Sequence, residues 1–211
     1  MRDVKQGLVN APSGANHTAA DGWESAVQIT ERWLARSERV DALLEGLPSS
    51  LPGQERARCQ HLFFGVVRWF SLIESGLAGL MAHAPRTKVR AILMVAGFEI
   101  LEGKPDAVAK IVHHAVERAK TSASPKAAGL INAVARKLAA RLLAGPTKSG
   151  ADAADFAVEF AHPEWLVLRW LRLFGPADTR QLLEWNQKPA PVYARTRTDA
   201  PVPAFLAATQ W

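Results

Sequence analysis

The sequence has a single cysteine, Cys59, in 211 residues, so neither an intramolecular disulfide nor a multi-cysteine metal site is possible within the chain. Long apolar runs are missing as well. Residues 91–98 make a run of eight, far short of the roughly 18 needed to span a bilayer, and Asp3, Lys5, Asn10, Asn16 and His17 interrupt any secretory h-region. The cytoplasm is the default expectation. The catalytic signatures are also absent: there is no G-x-x-x-x-G-K-[ST], no G-x-G-x-x-G between strand and helix, no H-E-x-x-H and no G-x-S-x-G. With 48% hydrophobic and 22% charged residues the composition is that of a folding chain. At roughly 150 residues per domain its length suits about a domain and a half.

The net charge of +6 is unevenly placed. Residues 1–50 carry five Lys/Arg against seven Asp/Glu, and residues 151–211 carry six against seven. Between them, Arg86, Lys88, Arg90, Lys104, Lys110, Arg118, Lys120, Lys126, Arg136, Lys137 and Arg141 face only Glu99, Glu102, Asp106 and Glu117. Such an excess favours a polyanion partner, chiefly nucleic acid, because each phosphate neutralised releases counterions; a basic surface without a partner is the bland alternative.

Residues 1–21 show no sustained period and read as a flexible leader, with order beginning near Trp23. Helical periodicity then runs almost throughout. One stripe is Val27, Ile29, Trp33 and Leu34, and a second is Val40, Leu43, Leu44 and Leu47. Residues 54–81 predict two helices, with Gly65, Gly76 and Gly79 as places of ending or close approach. Residues 89–101 predict an apolar helix closed by Gly103, with Pro105 opening the next. That helix, about 106–120, turns Val108, Ile111, Val112, Ala115, Val116 and Ala119 inward and leaves Lys110, His113, His114, Glu117 and Lys120 outside. Ser124-Pro125 is a cap and first-turn pair for a helix with Leu130, Ile131, Val134, Leu138 and Leu142 inward, ended by Gly145-Pro146. Residues 145–151 read as a linker. Beyond it come a short helix near 151–160, one over 163–174 capped by His162, and one over 176–187. Residues 192–198 alternate as a β-strand, which cannot be stable alone. It therefore pairs with another molecule, or the rest of its sheet lies beyond Trp211.

Candidate sites follow from charge and spacing. Lys126, Lys137 and Arg141 fall within about 60° on one helix flank, and with Arg56, Arg68 and Arg136 they are the expected phosphate contacts, a solvated face being the alternative. Arg136 has a second reading, as a brace for helix packing. Trp165, Arg169 and Arg172, at i, i+4 and i+7, offer stacking and phosphate contacts. Most other tryptophans, Trp33, Trp69 and Trp170 among them, lie on apolar stripes and read as core. His113-His114 point about 100° apart on a helix and share no metal centre. Cys59, beside Arg56 and Arg58, reads as a buried small side chain, since no base is placed for it.

Five blocks in order carry a family resemblance over about residues 23–198. Gly129-Leu130-Ile131-Asn132-Ala133-Val134-Ala135-Arg136 resembles the Gly-Leu-Ile-Asn-Ala-Val-Leu-Arg signature of NusB-like RNA-binding domains, particularly the kind that opens bacterial ribosomal RNA cytosine-C5 methyltransferases of the RsmB/Sun type. Leu62-Phe63-Phe64-Gly65-Val66-Val67-Arg68-Trp69 and Ala115-Val116-Glu117-Arg118-Ala119-Lys120 resemble two further blocks of that domain. His162-Pro163-Glu164-Trp165-Leu166 and Asn186-Gln187-Lys188-Pro189-Ala190-Pro191 resemble the connector to the methyltransferase. The chain departs from the family in having His113-His114 where Asn-Glu is common, and Ala194-Arg195-Thr196-Arg197 where Leu-Arg-Val-Asn is usual, so that Arg195 is kept. The family's S-adenosylmethionine loop and its Pro-Cys and Thr-Cys motifs do not occur.

The resemblance implies an all-α, NusB-like bundle over residues 22–145, then a helical connector and the first strand of an incomplete α/β subdomain over 146–211. It implies an RNA-binding, non-catalytic part that holds small-subunit ribosomal RNA for a catalytic domain absent from this chain. S-adenosylmethionine belongs to that domain, and no cofactor or metal is expected here. A stand-alone NusB-type antitermination factor, binding RNA with a ribosomal-protein partner, would have no use for residues 160–198. A helical protein–protein adaptor is the reading from another class.

Overall fold

The computed structural model describes residues 21–145 and 152–188, and among them every regular element is helical. Asp21 caps the first helix, α1 (Gly22–Arg36), its carboxylate accepting the Trp23 backbone N–H at 2.8 Å. The helix buries Trp23, Ala26, Val27 and Ile29 along one stripe, while Trp33 and Leu34 are half-buried at its margin. A short α2 (Val40–Glu45) inserts Leu43. The two helices expected in residues 54–81 are α3 (Gly53–Arg68) and α4 (Phe70–Leu77), separated at Trp69. Gly65 serves the other purpose considered for it: a Cβ there would sit 2.1 Å from the Phe98 ring, so its missing side chain is what lets α3 close on the next helix.

That helix, α5 (Thr87–Glu102), buries every residue from 91 to 98. A helix apolar on all sides belongs at the centre, and α5 packs against α1, α3, α4, α6 and α7. Pro105–Ala107 forms a single 3-10 turn into α6 (Val108–Ser122). Ser124 then caps α7 (Pro125–Ala144), accepting the Ala127 N–H at 3.1 Å. The inward stripe of α7 is Ala128, Ile131, Val134, Ala135, Leu138, Ala139 and Leu142. Leu130 does not join it: one position from Ile131 is about 100° of rotation, which leaves Leu130 41% exposed. His114 departs from expectation in the opposite sense. It is half-buried, its ring edge-on to buried Trp23 at 4.9 Å, while His113 faces solvent.

A second, smaller apolar cluster joins α8 (Ala153–Glu159) to α9 (Glu164–Gln187) through Ala153, Phe156, Ala157, Phe160, Val167 and Leu183. The helix α9 bends at Gly175, whose φ of 76° precedes Pro176, so the two helices read over 163–174 and 176–187 meet end to end across that bend. Arg180 holds the second half onto α8, donating to both Glu159 oxygens at 2.9 and 3.1 Å over the Phe156 ring. His162 does not cap α9. Its Nδ1 lies 2.6 Å from the Phe160 carbonyl, and Pro163 occupies the cap position without a side-chain bond. The strand expected over residues 192–198 and most of the linker lie outside the described residues. No helix described is long and apolar enough to cross a membrane.

Candidate nucleic-acid interface

Tertiary contacts divide the cations of residues 86–141 into paired and unpaired. Lys88 meets Glu24 at 2.8 Å, Arg90 meets Glu74 at 2.7 Å, and Lys120 meets Glu117 at 2.6 Å. Arg118 is bound to Asp21. Arg136 donates within its own helix to the neutral Asn132 amide at 3.1 Å, which places it on the exposed side of α7 and leaves its charge unneutralised. Arg141 donates to the Gly76 and Ala78 carbonyls at 3.0 and 2.6 Å, satisfying the C-terminal end of α4. Arg86, Lys104, Lys110, Lys126 and Lys137 have no ion-pair partner among the described residues.

Two of these five flank one groove of about 760 Å³, lined by Glu31 of α1, Pro85, Arg86, Lys88 and Val89 around the start of α5, and Ser124, Lys126 and Leu130 around the start of α7. The chain builds it from two helix beginnings. Arg86 precedes α5 without a side-chain cap, so no side chain satisfies the first N–H groups of this 16-residue helix. At the start of α7, Ser124 satisfies one N–H and Pro125 has none to offer, while Lys126 is exposed. Each helix also directs the positive end of its dipole here. Lys88, already bonded to Glu24, also lies 3.9 Å from Glu31, so Glu31 offsets part of the positive charge that Arg86 and Lys126 bring over an apolar floor that includes Leu130 and Val89. Such a groove accepts an anionic chain that also carries apolar or aromatic surface.

The other expected contacts scatter. Arg56 donates to the Pro48 carbonyl at 2.6 Å and pins the loop before α3. Arg68 is half-buried in the last turn of α3. Lys137 lies eleven residues along α7 from Lys126, about 16 Å away and outside the groove. Trp165, Arg169 and Arg172 do come together, with Leu168 and Leu173, around a shallow depression on α9. Arg195 lies outside the described residues. Periodicity had missed Arg86: the signal available was Pro85-Arg86-Thr87 just before an apolar helix, with Lys126 in the first turn of another. Cys59 is fully buried, and burial pushes its thiol up to about 11, which makes it unreactive at neutral pH. No group of three metal-ligating side chains occurs among the described residues.

The α-helical bundle closed around one apolar helix coincides with the match of the NusB family model, which covers residues 23–140. The chain belongs to the NusB family. It is also similar to the ribosomal RNA small subunit methyltransferase B proteins of several bacteria. The Thermus thermophilus protein is 35% identical over 147 residues, 69% of this chain and 33% of that protein. The Yersinia enterocolitica protein is 27% identical and the Sodalis glossinidius protein 30% identical, each over 173 residues, 81% of this chain and 39% of theirs. The chain thus spans between a third and two-fifths of these relatives' length.

Proposed function

We propose that this chain is an RNA-binding module that holds small-subunit ribosomal RNA for cytosine-C5 methylation. The single observation behind this reading is the groove in which unpaired Arg86 and Lys126 stand at the starts of two helices, that of α5 without a side-chain cap. The relatives' names supply the substrate class. In this reading residues 22–145 are the RNA-binding domain, and 146–211 form the connector and the start of the next subdomain.

The described residues do not suit S-adenosylmethionine chemistry of this type. They offer no strand-to-helix glycine loop, and the one thiol is buried with its proton held up to about 11. No methyl-transfer step is therefore assigned to the described residues.

The test is a titration with a small-subunit ribosomal RNA helix across a salt series. Each phosphate neutralised contributes a slope of about −0.9 to log K against log salt. Binding that weakens steeply with salt supports the proposal. Absence of binding, or a flat salt dependence, overturns it.

A further inference from the structure

We infer that the first half of α9 is a second RNA site, distinct from the groove, that takes an unpaired nucleotide by stacking its base on Trp165 and holding the adjoining phosphates with Arg169 and Arg172. This rests on the RNA-binding reading above and names a different part of the RNA, a single strand rather than a helix.

Trp165 is 66% exposed, against complete burial for Trp23, so its indole contributes little to either apolar cluster. Its inner neighbours Val167, Trp170 and Leu171 face α8 and do the packing. Trp165, Leu168, Arg169, Arg172 and Leu173 then form a second face, an arc of about 140° around the helix, and together line a depression of about 470 Å³.

The composition of that arc selects the ligand. It contains two arginines and no carboxylate, and neither arginine has an ion-pair partner among the described residues. Arg169 follows Trp165 by about one turn and Arg172 by two, roughly 6 and 10 Å along the axis. A flat aromatic surface with cations spaced beyond it is how single strands are held, since every base has a face to stack while the backbone needs charge. A duplex keeps its bases stacked inside and could use only the arginines. A protein partner would have to bring carboxylates to an otherwise apolar contact.

The experiment uses the full chain and a short single-stranded RNA carrying 5-iodouridine, beside an unmodified RNA duplex. Irradiation should cross-link the uridine to the peptide containing Trp165. Trp165→Ala should weaken single-strand binding roughly five- to a hundredfold and leave duplex binding unchanged. Trp165→Phe, which keeps an aromatic face, should restore most of it, and Arg169→Ala with Arg172→Ala should make the salt dependence shallower by about 1.4. All three residues are exposed, so the variants keep the fold, which circular dichroism checks. Cross-links confined to residues 85–130, with Trp165→Ala unchanged in affinity, overturn the inference while leaving the groove intact. So does loss of self-association in Trp165→Ala without any change in RNA binding, because the face is then a protein contact. Failure of both single strand and duplex to bind overturns the RNA reading as a whole.

Discussion

The indole N–H of Trp23 donates to a carboxylate oxygen of Glu99 at 2.8 Å, joining the first turn of α1 to the central helix α5. Arg58 approaches the same carboxylate and that of Asp21, each at 3.9 Å, and His114 stands edge-on to the indole. The entry of the chain into the bundle is therefore fastened by a polar cluster set inside apolar packing. Trp23→Phe keeps most of the ring but strands a largely buried carboxylate, a loss of about 1–3 kcal/mol. Urea unfolding of the two proteins checks it, with an unchanged midpoint contradicting the assignment.

The same cluster sets an acid response. Burial holds His114 below the ordinary histidine value, against the pull of Glu99. The unfolded chain then binds a proton more readily than the native one, so stability is lost as pH falls below about 6.5. Burial holds Glu99 above the ordinary carboxylate value, with Trp23, His114 and Arg58 opposing. Its native form keeps a proton longer, so its contribution runs the other way and stability falls as pH rises from about 4.5. In melting curves between about pH 7 and pH 5, His114→Gln should flatten the acid loss and Glu99→Gln should steepen it.

Replacing Arg86 and Lys126 together by alanine should lower RNA affinity on the order of tenfold and make the salt slope shallower by about 2. Lys110→Ala with Lys137→Ala, two unpaired cations outside the groove, serves as the charge-matched comparison and should change neither by as much. Equal effects from the two pairs would show that the groove is not the site.

Arg141→Ala should cost about 1 kcal/mol of stability, since it removes donors from two carbonyls at the end of α4. Its effect on RNA affinity should be small beside that of Lys126→Ala. Thermal unfolding and RNA titration of the same preparation separate the two roles.

Gly65→Ala should destabilise by about 1–3 kcal/mol, because the added carbon falls 2.1 Å from one ring atom of Phe98 and 2.2 Å from another. Pairing it with Phe98→Leu should recover part of the loss. A double variant no better than the single would show that the ring is not the obstacle.

Much of the architecture is legible in the residues alone, because it depends on local rules. The 3.6-residue period marks α1, α6 and α7; Ser124-Pro125 and Gly145 bound α7; and the uninterrupted apolar run over 91–98 marks α5 as an apolar helix. The NusB assignment was legible too, since its blocks are contiguous. Position around a helix was less secure: Leu130 and His114 sit at stripe margins, where about 100° decides between solvent and core, and only neighbouring helices settle that.

What the sequence by itself determined is therefore the helices, their order, the family and the concentration of positive charge in residues 86–141. Which of those charges are free was decided largely by tertiary structure. Apart from the local Lys120–Glu117 pair, ion pairing here is a matter of distance between residues remote in the chain, such as Arg118 with Asp21 or Lys88 with Glu24. No periodicity encodes it, and so the groove of Arg86 and Lys126 emerges only once α5 and α7 are packed side by side.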